Sequence, residues 1–405
     1  MAARERQRRV LALLVAAALG GLVGGCGTSY QLPTEIRGAA ATAQQKTYQR
    51  IATWSNGMAN IQDILLTPGG ELFMVFQDPA TGRGEVRQYP QSSTTPLSTH
   101  FGGLTNPTAI CAGGNRIFVL DQADSSAART DLSIFYPGTT EDSCGYQAEI
   151  NADVDRTPVP AFGFKRPITN LASYWHVREY RLDGQPVSSF TDTNFVWVSG
   201  VAADASGRVY VAGVIIYCRI DPYNSAVRTL EYRYRIRRYE PGSGDRYIIT
   251  DLGATTWRRD PTYYLLDGTG FGSSKDPRGM QWAEPQGPAL YFADRNNNQT
   301  QRYGDPLGGP PSFKLDFGGS GADSMLLSEP LDVAVDSAGY LYVADAGNQR
   351  VLRYDSDGRF VQRVDWNIGE VKVPMIRPVA VAADNRQVYI ADRGAGQVLR
   401  FRRRD

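Results

Sequence analysis

Two segments near the C-terminus carry the same kinds of residue in the same order. Pro330-Leu331-Asp332-Val333-Ala334-Val335 leads to Leu341-Tyr342-Val343-Ala344-Asp345 and then to Arg350-Val351-Leu352-Arg353-Tyr354. Pro378-Val379-Ala380-Val381-Ala382-Ala383 leads likewise to Val388-Tyr389-Ile390-Ala391-Asp392 and Val398-Leu399-Arg400-Phe401, a repeat of about 48 residues. Each unit holds short β-branched and aromatic runs divided by Gly, Asp and Asn turns, the pattern of a small antiparallel meander. One such sheet cannot bury both faces alone. Copies stacked around an axis bury each face against the next, which predicts an all-β propeller.

Weaker copies extend the count. Arg278-Gly279-Met280 precedes Ala289-Leu290-Tyr291-Phe292-Ala293-Asp294, and Val201-Ala202-Ala203 precedes Val209-Tyr210-Val211-Ala212. Pro107-Thr108-Ala109-Ile110 precedes Ile117-Phe118-Val119-Leu120-Asp121, and Ile64-Leu65-Leu66 precedes Leu72-Phe73-Met74-Val75. With the two C-terminal units, this predicts six blades. These motifs resemble the NHL-repeat family, whose units have a Pro-led inner strand, a second strand ending in Val-Ala-Asp and a third strand of the Arg-Val-x-x-Phe/Tyr kind. The resemblance is strongest in the last two units and implies a six-bladed β-propeller. Sequence also predicts how the ring closes. The chain ends soon after a third strand, while Tyr48-Gln49-Arg50-Ile51 is similar to the outer strand Val361-Gln362-Arg363-Val364, so the N-terminal strand is expected to complete the last blade.

Residues 123–173 and 255–276 interrupt the repeat and are expected as excursions from blade two and between blades three and four. The propeller is thus placed at residues 46–405.

The N-terminus reads as a processing segment. Arg4, Arg6, Arg8 and Arg9 precede an apolar run from Val10 to Val23 that is shorter than a membrane-spanning helix. It ends in Val23-Gly24-Gly25-Cys26, which resembles the bacterial lipoprotein signal: residues 1–25 would be removed and Cys26 lipidated. Residues 26–45 then form the lipidated Cys and a flexible tether. An exported chain held to the cell envelope by its lipid follows, at the outer membrane where the organism has one. Removing that segment takes the formal net charge from +1 to about −2, so no global pull toward nucleic acid remains.

Of the other cysteines, Cys111, Cys144 and Cys218, no spacing gives a framework; Cys144 with Cys218 is the favoured pair, as both fall in apparent insertions.

The chemistry is less constrained. The recurrent Asp121, Asp294, Asp345 and Asp392 at second-strand ends read either as a carboxylate ring for a cation or as turn residues accepting backbone bonds, and their repetition favours the second. Peptide-amidating lyases resemble this fold but need several histidines for zinc; the chain has only His100 and His176. Strictosidine-synthase-like and lactonase-like propellers hold calcium or a catalytic carboxylate at the axis, whereas the inner-strand starts here offer Asn60, Asp63, Asn106, Ser199, Arg278, Glu329 and Arg377, a mixed set. No nucleophile-elbow or P-loop motif occurs. In Glu231–Tyr239, Arg233, Arg235 and Arg237 share one strand face opposite Tyr232, Tyr234 and Ile236, as a solvated face or a docking patch. Trp175, Trp197, Trp257 and Trp282 are contact aromatics or core.

The preferred expectation is a non-catalytic scaffold, without a cofactor, that binds an envelope protein or glycan through Arg278, Glu329, Arg377 and the excursions. Its rivals are a metal-dependent hydrolase or lyase with a Ca²⁺ at the axis, and a structural subunit of an envelope complex.

Overall fold

The computed structural model describes residues 48–55, 57–77, 83–91, 93–97, 101–121, 175–192, 195–220, 228–242, 248–253, 256–264, 274–304, 311–318, 326–364 and 374–404. They form six antiparallel sheets. Blade one holds β2 (Ile61–Leu66), β3 (Leu72–Gln77) and β4 (Gly84–Tyr89). Blade two holds β5 (Pro107–Gly113), β6 (Arg116–Asp121), β7 (His176–Arg181) and β8 (Pro186–Asp192), with β12 (Ile248–Leu252) on its outer edge. Blade three holds β9 (Phe195–Ala203), β10 (Val209–Ile220), β11 (Arg228–Pro241) and β13 (Trp257–Tyr264). Blade four runs through β14 (Pro277–Ala283), β15 (Ala289–Asp294), β16 (Gln299–Gly304) and β17 (Ser312–Gly318). Blade five runs through β18 (Pro330–Val335), β19 (Leu341–Asp345), β20 (Arg350–Tyr354) and β21 (Phe360–Arg363). Blade six holds β22 (Pro378–Ala383), β23 (Gln387–Asp392), β24 (Gln397–Arg403) and, on its outer edge, β1 (Tyr48–Trp54).

The inner strands pack in the order β2, β5, β9, β14, β18, β22 and back to β2, which makes the closed ring of a six-bladed propeller. The second strands explain why the sequence takes this form. Every residue of β19 and of β15 is buried, so these strands face a neighbouring blade on both sides and read as continuous apolar runs. Strand periodicity then divides the work: Leu341 and Val343 join the core between blades four and five, while Tyr342 and Ala344 join the core between five and six. A further core closes the ring, where Val379, Tyr389 and Ala391 of blade six meet Ile64, Leu72 and Met74 of blade one.

The expected closure by the N-terminal strand is present: Tyr48 pairs with Arg403 and Trp54 with Val398 in an antiparallel ladder. Tyr48 and Trp54 are buried, and the Tyr48 hydroxyl lies 3.2 Å from that of Tyr342 in blade five.

The structure differs from the expectation around blades two and three. The 255–276 excursion is in part the outer strand of blade three, since β13 pairs with β11, and its Trp257 stacks on Phe190 at 4.6 Å between ring centroids. Before reaching that position, the chain crosses to blade two and adds β12 beside β8. Cys218, expected in an insertion, lies within β10 opposite Leu230. Residues 123–173, Cys26 and Cys144 fall outside the described residues, and with Cys144 goes the expected pair with Cys218. Cys111 is a buried free thiol.

Candidate functional site: an arginine-lined mouth of the central tunnel

Each inner strand slips register against its second strand. The slips fall between Ile61 and Asp63, Pro107 and Ala109, Pro330 and Asp332, and Pro378 and Ala380, with equivalents at Ser199 and at Arg278–Gly279. A bulge re-aims a side chain without ending the strand. Here Gln62, Thr108, Ser199, Arg278, Leu331 and Val379, one from each blade, all line a single cavity of about 270 Å³ at one end of the axis.

The guanidiniums of Arg278, Arg295, Arg377 and Arg393 also line this mouth. Three of them are tied by a chain of ion pairs. Arg278 donates to Asp276 at 2.8 Å, Arg295 reaches the same carboxylate at 3.4 Å and Glu329 at 2.7 Å, and Arg377 meets Glu329 at 3.4 Å. Arg393 donates to the neutral Gln62 Oε1 at 2.8 Å. Burial and the nearby charge of Arg377 lower the pKa of Arg393, while the hydrogen bond from Arg295 lowers that of Glu329. Arg278 also lies over the ring of Trp197, 4.4 Å from its centroid. Asp276 and Glu329 each stand immediately before the proline that opens an inner strand, with left-handed φ of 71° and 47°. Non-glycine residues hold that conformation only where their surroundings compensate it, and such sites cluster where ligands are gripped. The Glu329 N–H is held by Asn298 Oδ1 at 2.9 Å.

Beneath the mouth lie Asp63 and Asp332. Asp63 accepts the N–H of Ile64 at 2.7 Å and that of Ile110, in the next blade, at 2.8 Å; Asp332 accepts that of Val381, likewise in the next blade, at 2.7 Å. Burial pushes the Asp63 carboxyl up to about 7, and burial together with the charge of Asp63 pushes Asp332 up as well. Asp332 packs directly over Gly279, where a methyl group would collide with its carboxylate, so glycine is required at that point. Asp63, Ala109, Gly279 and Asp332 line both this mouth and a wider chamber of about 660 Å³ beyond it, so they form the neck between the two. Small residues, among them Ala112, Gly200, Ala203 and Ala382, give the chamber its width.

The donor set does not fit a calcium cage of six to eight oxygens. Asp63 and Asp332 are already engaged with backbone N–H groups, and among the described residues no three His, Cys, Asp or Glu side chains are placed to hold one metal ion. The repeated strand-end aspartates act as backbone acceptors, as their repetition implied. Asp121 takes the N–H of Asn106 at 2.7 Å, Asp294 that of Lys275 at 2.8 Å, Asp345 that of Ser328 at 2.7 Å and Asp392 that of Arg377 at 2.7 Å. Each therefore ties the end of a second strand to the entry of its own inner strand.

The structure thus brings Arg278, Glu329 and Arg377 together, and it separates them from the arginines of β11. Arg235 and Arg237, expected on a solvated face or docking patch, are buried, and Arg233 is partly buried. Arg237 pairs with Asp192 of blade two at 3.1 Å and lies over Phe195, because neighbouring strands cover the face that periodicity marks as polar. Trp175 and Trp257 are core, whereas the half-buried Trp197 and Trp282 line the mouth and the chamber respectively. Sequence reasoning missed Arg295 and Arg393. The signal was present, since both follow the strand-end aspartate, in Ala293-Asp294-Arg295 and Ala391-Asp392-Arg393.

Residues 327–354 match the NHL repeat. No match was found among curated proteins. Solved structures similar to this chain include a gluconolactonase from Xanthomonas campestris (12% identity, 88% of each chain covered, TM-score 0.45). Also similar are a virginiamycin B lyase from Staphylococcus aureus (11% identity, 88% of this chain and 98% of that one, TM-score 0.42) and an auxiliary nutrient binding protein from Bacteroides thetaiotaomicron (11% identity, 86% and 70%, TM-score 0.44).

Proposed function

We propose that this six-bladed propeller is an exported lipoprotein, anchored through Cys26, that acts as a binding scaffold at the cell envelope and receives an acidic protein or glycan at its arginine-lined mouth. The observation that carries the reading is the charge balance there: four guanidiniums line one cavity, two carboxylates, Asp276 and Glu329, form ion pairs with three of them, and burial drives the other two carboxyls, Asp63 and Asp332, toward their neutral form. A cationic concavity on a chain whose processed form is slightly anionic attracts acidic groups to one place rather than to the whole surface. The lipobox-like Val23-Gly24-Gly25-Cys26 and the tether after it support display from a membrane.

Two measurements test this. Palmitate labelling and membrane fractionation should follow the wild-type chain and be lost in Cys26→Ser. Binding to envelopes from cells lacking the chain should be salt-sensitive and should disappear in Arg377→Glu/Arg393→Glu while surviving in Arg402→Glu/Arg404→Glu, a pair outside the mouth. Equal binding by both double variants would remove the mouth from the proposal.

A further inference from the structure

Within the mouth, Arg377 and Arg393 differ from the other two arginines. Arg278 and Arg295 are matched by Asp276 at 2.8 Å and by Glu329 at 2.7 Å. Arg377 has only a longer contact, 3.4 Å, to the carboxylate that Arg295 already holds. Arg393 has a neutral amide for its hydrogen-bond acceptor and a like charge for its neighbour. Two guanidiniums held side by side repel each other, and more strongly where the site is partly withdrawn from water.

The fold nonetheless fixes them together. The buried Asp392 accepts the N–H of Arg377 at 2.7 Å and that of Ile376 at 3.0 Å, and Arg393 is the next residue after that aspartate. Gly394 lets the following turn lie against Arg377, since a Cβ there would meet the Arg377 backbone nitrogen at 2.8 Å. Both arginines therefore enter the cavity from backbone anchored by one carboxylate. Each guanidinium carries five donors in a planar fork suited to a pair of carboxylate oxygens.

We infer that Arg377 and Arg393 form a clamp for a carboxylate group carried by a hydroxylated ligand, an inference that rests on the mouth being the ligand face. A single negative charge suits the site better than a phosphate dianion, because Glu329 and Asp276 already stand beside it. The remaining wall supplies neutral polar side chains rather than more cations: Gln62, Thr108 and Ser199. The volume of about 270 Å³ admits one sugar-sized group. The same chemistry is offered by a free sugar acid and by an acidic residue pendant on a polysaccharide.

Calorimetric titration of the full chain in detergent, with D-glucuronate, D-glucose, inorganic phosphate and polyglucuronate as probes, tests the assignment. Glucuronate or polyglucuronate should bind, and glucose and phosphate should bind at least about tenfold more weakly, the scale of a lost charge-assisted pair. Tighter binding of the monomer identifies a free acid as the ligand source, and tighter binding of the polymer identifies a pendant group. Arg393→Met and Arg377→Met should each lose about tenfold or more, Arg393→Lys should recover part of the loss, and Arg404→Met should match wild type. A thermal melt of each variant separates loss of the clamp from loss of the fold. Glucose binding as well as glucuronate, phosphate binding more tightly than either acid, or unchanged affinity in both Met variants overturns the clamp. If neither acid binds while the charge-reversed mouth still loses envelope binding, only the carboxylate assignment falls; if envelope binding also persists, the mouth falls with it.

Discussion

At the scale of single residues, burial holds two carboxyls, Asp63 at the neck of the tunnel and Asp294 at a strand end, in an unusual state. The folded-state pKa of Asp63, about 7, lies above its ordinary value of 3.8, so the native state holds that proton more tightly than the unfolded chain does. The stability this group contributes is therefore greatest at acid pH and falls as pH rises from about 4 to about 7, levelling off above. Asp294, also pushed up to about 7 by burial, adds in the same direction. Denaturant unfolding at pH 5 and pH 8 should show the wild-type chain less stable at pH 8. Asp63→Asn should be less stable than wild type at pH 5, by about 1 kcal/mol for a lost backbone bond, with a smaller drop between the two pH values. An unchanged drop would assign the dependence to other groups. Among the strand-end aspartates, Asp345 carries a further burden. Asp345 binds the buried Arg350 at 2.7 Å, so Asp345→Ala strands a charge and is expected to cost about 3–5 kcal/mol in the same assay.

At the scale of elements, residue type alone does not reveal role. Trp54 on β1 is buried in the core between blades six and one, while Trp197 on β9 is half-buried at the mouth under Arg278. Trp54→Ala is expected to cost about 3–5 kcal/mol on unfolding, as for other buried aromatics. Trp197→Ala should leave stability within about 1 kcal/mol and weaken ligand binding, because it removes the surface on which Arg278 rests. Equal losses of stability would show that Trp197 is core as well. The elements that repeat were legible in the sequence, since each second strand must be apolar on both faces. Strands β12 and β13 were not, because they answer to no repeat; they form where β8 and β11 leave unpaired edges. The arginines of β11 show a related limit. Alternation assigns Arg235 and Arg237 to one face, but Asp192 of a neighbouring blade decides that this face is covered.

At the scale of the whole molecule, the core is shared between blades. Among the described residues, each of these apolar clusters is built by two adjacent blades, and β1 ties the start of the propeller to its end. Removing one blade exposes both of its neighbours, so the propeller should unfold in one transition. Tryptophan fluorescence and far-ultraviolet circular dichroism should give coincident midpoints in denaturant, and separated midpoints would show that blades fold independently.

The sequence by itself determined the number of blades, the strand that closes the ring and the role of the repeated aspartates, because these depend on local periodicity and recur. It also singled out Arg278, Glu329 and Arg377, each placed just before or just within an inner strand. Only the tertiary structure decided that these three meet Arg295 and Arg393 around one cavity, and that Asp63 and Asp332 share its neck. Those groups lie far apart along the chain and come together because six strand entries converge on one axis, a distance that no local pattern encodes.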